Sequence, residues 1–350
     1  MHFLDQLVAV EYTLETLDSF RFYENYLNDA IVPPFFLDRL PLGGRLKMIG
    51  AVDIGGTKVA VGMVEREGRL LVQDSINVNR ATSATQGVDR ILQLLRQTAH
   101  QTGRELEGVG IGCTGPVNPH SGVLGPIEFL PDWEGVNLAG IISQEMGVTA
   151  ALENDADAAA LGEATWGAGK GSSRFLLITV GTGIGGGMVL DGRLYRGVDG
   201  CHPEMGHHVI DPSGPLCFCG ASGCWESLAS GPAMEGWFNQ ETQADGRWDA
   251  RRICTAADEG HSRARAAVER TGKYLGIGLA NLVTLLCPEV IALSGGLMRR
   301  LDLFRGQIEN TIRTHCGLVP YEKTRLLPTG LGTDANLIGA AQVWLHRQRA

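Results

Sequence analysis

The strongest constraint in this sequence is a repeated unit. An apolar, β-branched run ends in glycines, turns, and leads straight into a second run, and this happens twice. "AVDIGGTKVAVGMV" does so near Val52 and "LITVGTGIGGGMVL" near Ile178, about 125 residues apart. Runs of this kind broken by glycine read as strand, turn and strand. Two copies predict two lobes of related build, each opening with a glycine turn whose amides can approach a phosphate closely. One glycine pair alone fits an ordinary hairpin turn better; its return in the second half strengthens the phosphate reading. Neither copy matches G-x-x-x-x-G-K-[ST], so this is no P-loop. "GTGIGG" satisfies G-x-G-x-x-G through Gly181, Gly183 and Gly186, but "MVLDGRL" after it reads as a strand where a dinucleotide-binding fold needs a helix.

Around these units, strands and amphipathic helices alternate. "GVDRILQLLRQTAHQ" carries apolar residues at helical spacing. "LEGVGIGCTGPV" is a buried strand ending in a glycine turn, and "GVTAALEND" is a strand leading into the Ala-rich helix "ADAAALGEATWGA". Later come a long helix over "RARAAVERTGKYLGIGLANLVTLL", the strand "PEVIALSGGLM" and a closing helix over "DANLIGAAQVWLHRQ". The class is α/β. A 350-residue chain with 44% hydrophobic and 20% charged residues is globular in composition. Its net charge of −9 argues against a nucleic-acid binder with a broad basic surface. No apolar run of about 18 residues suggests a membrane span. The first residues carry acids and no early Lys or Arg, unlike a signal peptide. The expectation is a cytoplasmic protein, with no nucleic-acid or membrane partner.

Residues 1–47 differ from the rest. They hold Phe3, Tyr12, Phe20, Phe22, Tyr23, Tyr26, Phe35 and Phe36, half of the 16 Phe and Tyr, but only Gly43 and Gly44 of the 48 glycines. Pro33 and Pro34 interrupt any helix there. The segment reads as an N-terminal extension with one helix around 5–28, or as residues upstream of a natural start at Met48; the sequence leaves both open.

Three features carry chemistry. Asp53, at a strand end beside Gly55 and Gly56, could hold Mg²⁺ directly or through water, and Thr57 adds a hydroxyl donor. Asp155 follows a strand and opens a helix. There it is either an N-cap or a general base at the C-terminal end of a strand, where open α/β sheets bind ligands, and Asn154 beside it could bond a substrate hydroxyl. Finally, "CFCGASGCWE" packs Cys217, Cys219 and Cys224 into ten residues, with His207 ten residues upstream. In a reducing compartment such a cluster reads as metal-binding rather than disulfide, and three thiolates with one imidazole make a tetrahedral zinc set. The spacings C-x-C and C-x₄-C do not fit a C-x-x-C redox pair. His208 could replace His207, and Cys201 or His202 could also substitute. Glu204 and Glu226 border the loop, and both could grip the vicinal hydroxyls of a sugar. Cys113, Cys254, Cys287 and Cys316 are assigned to packing.

Together these residues resemble the ROK family (repressor, open reading frame, kinase) of sugar kinases. "DIGGTK", "GPV", "ENDADAAALGE", "GTGIGGG", "EMGH…GPLCFCGASGCWES" and "LSGG" occur in family order over about 48–346. The combination of E-x-G-H with C-x-C-G-x₂-G-C-x-E is the specific part. The resemblance implies a two-lobed actin/hexokinase-like (ribonuclease H-like) fold. It implies a small lobe over 48–153, a large lobe over 154–332 with the zinc loop at 204–226, and a helix at about 333–348 returning to the first lobe. It implies ATP, Mg²⁺ and a structural Zn²⁺. Asp155 would be the base, and Gly115, Asn154, Glu204, His207 and Glu226 would contact the sugar. Asp53, Gly55, Gly56, Thr57 and Lys58, with Gly181, Thr182, Gly183 and Gly185, would form the phosphate loops, and Gly295 and Gly296 would line the adenosine side. His207, Cys217, Cys219 and Cys224 would hold zinc. The implied activity is phosphorylation of a hexose at the 6-hydroxyl, glucose first. N-acetylmannosamine, N-acetylglucosamine and fructose are alternatives, and a non-catalytic sugar-sensing regulator is the second class. The assembly implied is a homodimer or homotetramer. Asp157 stands where many members carry Asn.

Overall fold

The computed structural model describes residues 46–240 and 246–348. The helix expected around 5–28, and the extension up to residue 45, lie outside the described residues. The first strand takes Lys47 as well as Met48.

Two five-stranded sheets form the frame. The first holds β1 (Lys47–Ile54), β2 (Lys58–Val64), β3 (Leu70–Asn77), β4 (Glu105–Cys113) and β5 (Thr149–Asn154), in the order β3-β2-β1-β4-β5. The second holds β6 (Arg174–Val180), β7 (Ile184–Leu190), β8 (Arg193–Leu194), β9 (Val290–Ser294) and β10 (Arg325–Pro328), in the order β8-β7-β6-β9-β10. Counted within each half, both orders are 3-2-1-4-5. In both, the first three strands pair antiparallel and the last two join parallel. The repeat seen in the sequence is thus a repeat of topology, and the fold is mixed α/β.

Burial follows from that order. β1 sits mid-sheet, and Met48, Ile49, Ala51, Val52 and Ile54 are all inaccessible, as expected for a strand covered on both faces. Helix α1 (Ala84–Thr102) starts on Ser83, whose side chain accepts from the amide of Gln86, and ends at Gly103 in the left-handed region. Its Val88, Ile91, Leu92 and Leu95 are buried in the core under the first sheet. α2 (Leu138–Met146) precedes β5, and α3 (Asp155–Trp166) follows it. The second half contributes α4 (Trp225–Ala229), α5 (Gly231–Gln240), α6 (Ala250–Asp258), α7 (Ser262–Leu286) and α8 (Leu301–His315), and α9 (Ala335–Arg347) comes last.

The last helix of each half crosses over. α3 follows the first sheet yet packs on β6 and β7, while α9 follows the second sheet and packs on β1, β4 and β5. The two helices also pack on each other through small residues. A Cβ added at Gly339 would lie 2.3 Å from the carbonyl oxygen of Ala158, and one at Gly162 would lie 2.9 Å from the Cα of Gly339. Any larger side chain would push these helices apart, and with them the strand ends described next. Among the described residues no helix is long and apolar enough to cross a membrane.

Candidate active site

Parallel strands in register bring their C-terminal ends together. Asp53 pairs with Gly112, Ile54 with Cys113, and Cys113 with Asn154. Asp53, Thr114 and Asp155 therefore share one edge of the first sheet, the edge at which open α/β sheets hold ligands.

Asp155 opens α3. Asn154 caps the helix, its Oδ1 accepting from the amides of Ala156 (2.9 Å) and Asp157 (3.2 Å). The N-cap role weighed for Asp155 thus falls to its neighbour. Asp155 is left with one carboxylate oxygen accepting from the Thr114 hydroxyl (2.8 Å) and the other from the Ala156 amide (2.8 Å). It is half-buried and held at a helix start.

Asp53 accepts from the side-chain amide of Asn336, at 3.3 and 3.2 Å to its two oxygens. Burial pushes its pKa up to about 6; the Asn336 bond opposes this, and the Asp155 charge adds to it. Two acids close enough to couple, one of them held toward its neutral form, make a donor set that a divalent cation would relieve.

The two glycine turns lie between the hairpin strands. In the first, Gly55 donates to the carbonyl of Lys58 (3.0 Å), and Lys58 already begins β2. In the second, Gly181 donates to the carbonyl of Gly183 (2.9 Å), and Gly185, expected in the loop, is inside β7 opposite Thr179. Thr57 and Thr182 are exposed. Gly55, Gly56, Gly181 and Gly183 do not occupy the left-handed region; Gly295 does, with φ of 95°. At Gly183 the requirement is space: a Cβ there would sit 2.3 Å from the Glu226 carboxylate. Gly181 and Gly296 border a cavity of about 730 Å³ lined also by Thr182, Gly231, Leu297 and Arg299. Gly115 touches the Asn154 side chain, its added Cβ falling 3.3 Å from Nδ2.

The cysteine loop is folded on itself. Cys217 donates its amide to the carbonyl of Ala221, and Gly223 to that of Pro215 (both 2.8 Å). Gly223 has φ of 73°, and a Cβ there would lie 1.6 Å from the carbonyl oxygen of Asp211, so only glycine fits. This closure gathers His207, Cys217, Cys219 and Cys224 until their ligand atoms all lie within 4.8 Å of one another. Cys217 Sγ is 3.5 Å from His207 Nδ1, and Cys219 Sγ is 3.5 Å from Cys224 Sγ. A tetrahedral zinc at ordinary bond lengths sets S···S near about 3.8 Å and N···S near about 3.6 Å, so the four residues fit the metal. The Ala221 amide, and then Cys224, pull the Cys219 thiol down to about 7, whereas burial pushes Cys224 up to about 12. His208 and His202 are elsewhere: His208 Nδ1 lies against the carbonyl of Met205, and His202 meets Asp157.

Glu204 is exposed just before the short turn Met205–His207. Glu226 is the second residue of α4, two after Cys224. Its carboxylate accepts from the amide of Ile184 (2.7 Å), tying the cysteine loop to the second glycine turn.

Several residues here escaped the sequence reading. Glu163, fully buried in α3, accepts from the amides of Ala168, Gly330 and Leu331 (2.8, 2.9 and 2.9 Å), anchoring the segment that leads to α9. Glu153 and Asp157 flank Asn154–Asp155, and Arg196 pairs with both. Desolvation drives the Glu153 carboxyl up. It also acts to lower the His202 imidazole, but the hydrogen bond and charge of Asp157 prevail and hold it above its ordinary value. Glu153, Asp157 and Glu163 all lie within "ENDADAAALGE", but only Asp157 drew notice there, for its residue type alone, and His202 was weighed only as a substitute zinc ligand.

A model of the ROK family matches residues 49–347. The chain belongs to the ROK family. A glucokinase of Thermotoga maritima is 32% identical over 317 residues, covering 87% of this chain and 98% of that protein. The crystal structure of a ROK hexokinase from Thermus thermophilus superposes with a TM-score of 0.78 at 32% identity, over 87% of this chain and all of that one. That of a ROK family glucokinase from Streptomyces griseus, in complex with glucose and AMPPNP, gives a TM-score of 0.70 at 33% identity, over 86% and 99%.

Proposed function

We propose that this ROK protein is an ATP-dependent hexose kinase that phosphorylates the 6-hydroxyl of glucose. The observation that carries the reading is the setting of Asp155. A carboxylate fixed by Thr114 and the start of α3 shares its strand-end edge with Asp53. Phosphoryl transfer asks mainly for in-line positioning and charge neutralisation. Asp155 accepts the proton of the sugar hydroxyl as its oxygen attacks the γ-phosphorus. The amides and hydroxyls of the turns 55–58 and 181–183 hold the phosphates, and the cavity beside Gly181 and Gly296 takes the nucleoside. Asp53, with Asp155 nearby, would hold Mg²⁺, which supplies charge neutralisation on the transferring group. Asn154, Gly115, Glu204, His207 and Glu226 grip the sugar.

The cysteine loop plays a structural part in this account. His207, Cys217, Cys219 and Cys224 would hold a zinc ion, which would supply rigidity to the 204–226 segment, and the Ile184 amide holds Glu226 against the second glycine turn. Residues 48–153 with α9 form one lobe of an actin/hexokinase-like fold, and 154–332 the other. The relatives named above as glucokinases support glucose as the substrate.

A coupled ADP-release assay on the full chain, with glucose, N-acetylmannosamine, N-acetylglucosamine and fructose, tests the reading. Glucose should give the highest kcat/KM. Turnover of a different sugar in the panel overturns the assignment of glucose, and turnover of none overturns the kinase and favours the sugar-sensing regulator.

A further inference from the structure

Glu153 and Asp157 flank the Asn154–Asp155 pair and are 5% and 0% exposed. Two buried carboxylates this close cannot both ionise without a counter-charge. Arg196 provides one, with Nη1 on Asp157 Oδ2 and Nη2 on Glu153 Oε1. His202 adds a second contact, its Nδ1 lying 2.6 Å from the same Asp157 oxygen. Asp157 Oδ1 is buried without a hydrogen-bond partner, so Arg196 and His202 converge on the opposite oxygen.

Both basic side chains come from one short segment. Between them the backbone closes on itself: Gly197 donates to the carbonyl of Cys201 (2.8 Å), and Cys201 to that of Val198 (3.0 Å). Arg196 and His202 therefore leave the base of a closed loop side by side. Glu204 lies two residues after His202, and His207 donates its amide to the Glu204 carbonyl (3.0 Å). The segment bearing two of the proposed sugar contacts is thus pinned, by charge, to the first turn of the helix that begins with Asp155.

We propose that Arg196 and His202 form a strap that positions Glu204 and His207 for the hexose, and that His202 is the element of it that sets hexose affinity. The inference rests on the hexose-kinase reading above. Neither residue needs to touch substrate; both act through Asp157 and are positioning residues. Arg196 also neutralises two buried acids, so its removal threatens the fold. His202 is the group whose loss loosens the segment while leaving that neutralisation in place.

The test is steady-state kinetics of the full chain, with glucose and ATP varied separately. In His202→Ala, KM for glucose should rise about 10-fold while kcat stays within about 3-fold and KM for ATP within about 2-fold, the signature of lost uniform binding at one substrate. His202→Asn returns an amide close to where Nδ1 lies and should recover most of the loss, to within about 3-fold of wild type. Asp157→Asn keeps an acceptor but removes the charge, and should raise KM for glucose in the same direction; it decides the matter if His202→Ala does not fold. A role confined to folding would instead lower kcat and melting temperature without separating the two substrates. Wild type that turns over no hexose takes down the kinase reading and this inference with it. An active wild type whose glucose KM is unmoved by His202→Ala, or moved equally by Ala and Asn, overturns the strap alone.

Discussion

Replacing Gly183 with alanine probes the link between the cysteine loop and the second glycine turn. The added Cβ would sit 2.3 Å from Glu226 Oε2 and 3.1 Å from the carboxyl carbon. Its obstacle is the tip of a flexible side chain, so Glu226 moves and the backbone stays. Moving it costs the 2.7 Å hydrogen bond from the Ile184 amide. A bond to a charged group contributes about 1.5–3 kcal/mol, and the half-exposed setting of Glu226 places the expected loss near the low end, about 1.5 kcal/mol. Glu226→Ala alone loses the same bond. The two changes should therefore not add: the double variant should match Glu226→Ala, leaving a coupling of about 1.5 kcal/mol. Urea unfolding of the four zinc-loaded proteins measures the cycle. Additive losses, or a neutral Gly183→Ala, would show that the Glu226 contact is not what occupies the space above Gly183.

Two further outcomes follow from the site. Metal analysis should find about one zinc per chain, and Cys219→Ser should lower both zinc content and melting temperature, because structural zinc sites contribute folding energy directly; undiminished zinc in that variant would exclude Cys219 as a ligand. With its pKa raised from 3.8 to about 6, Asp53 in the folded chain retains a proton that the unfolded chain has released across that window. Its contribution to stability therefore falls as pH rises from about 4 to about 6 and is level above. The difference in unfolding free energy between wild type and Asp53→Asn should carry that slope, and a difference that is flat, or that grows with pH, would contradict the burial of Asp53.

The sequence read well where the signal was local. Both glycine hairpins, the alternation of strands and helices, and the His207 and cysteine spacing lie within runs of a few tens of residues, and period and turn chemistry report such features directly. What escaped the reading joins distant positions. Arg196 meets Asp157 across 39 residues, Glu163 meets Gly330 across 167, and Asn336 meets Asp53 across 283. Each is an ordinary polar residue in its own segment, and only the crossing of α3 and α9 between the sheets brings the partners together. Glycine was also read too uniformly. Gly295 and Gly223 answer to backbone angle, while Gly183 answers to the bulk of Glu226, which lies 43 residues further along the chain. A sequence identifies the residue type in each case, but not which demand is at work.

The central claim is that Asp155 activates a hexose hydroxyl toward ATP. The direct measurement is the phosphorus NMR spectrum of product formed from glucose and ATP, by wild type and by Asp155→Asn at matched zinc content and melting temperature. The account predicts glucose 6-phosphate from wild type and a kcat lower by at least about 10²-fold in the variant, the low end for general acid–base catalysis. Near-normal turnover by folded, zinc-loaded Asp155→Asn would contradict it.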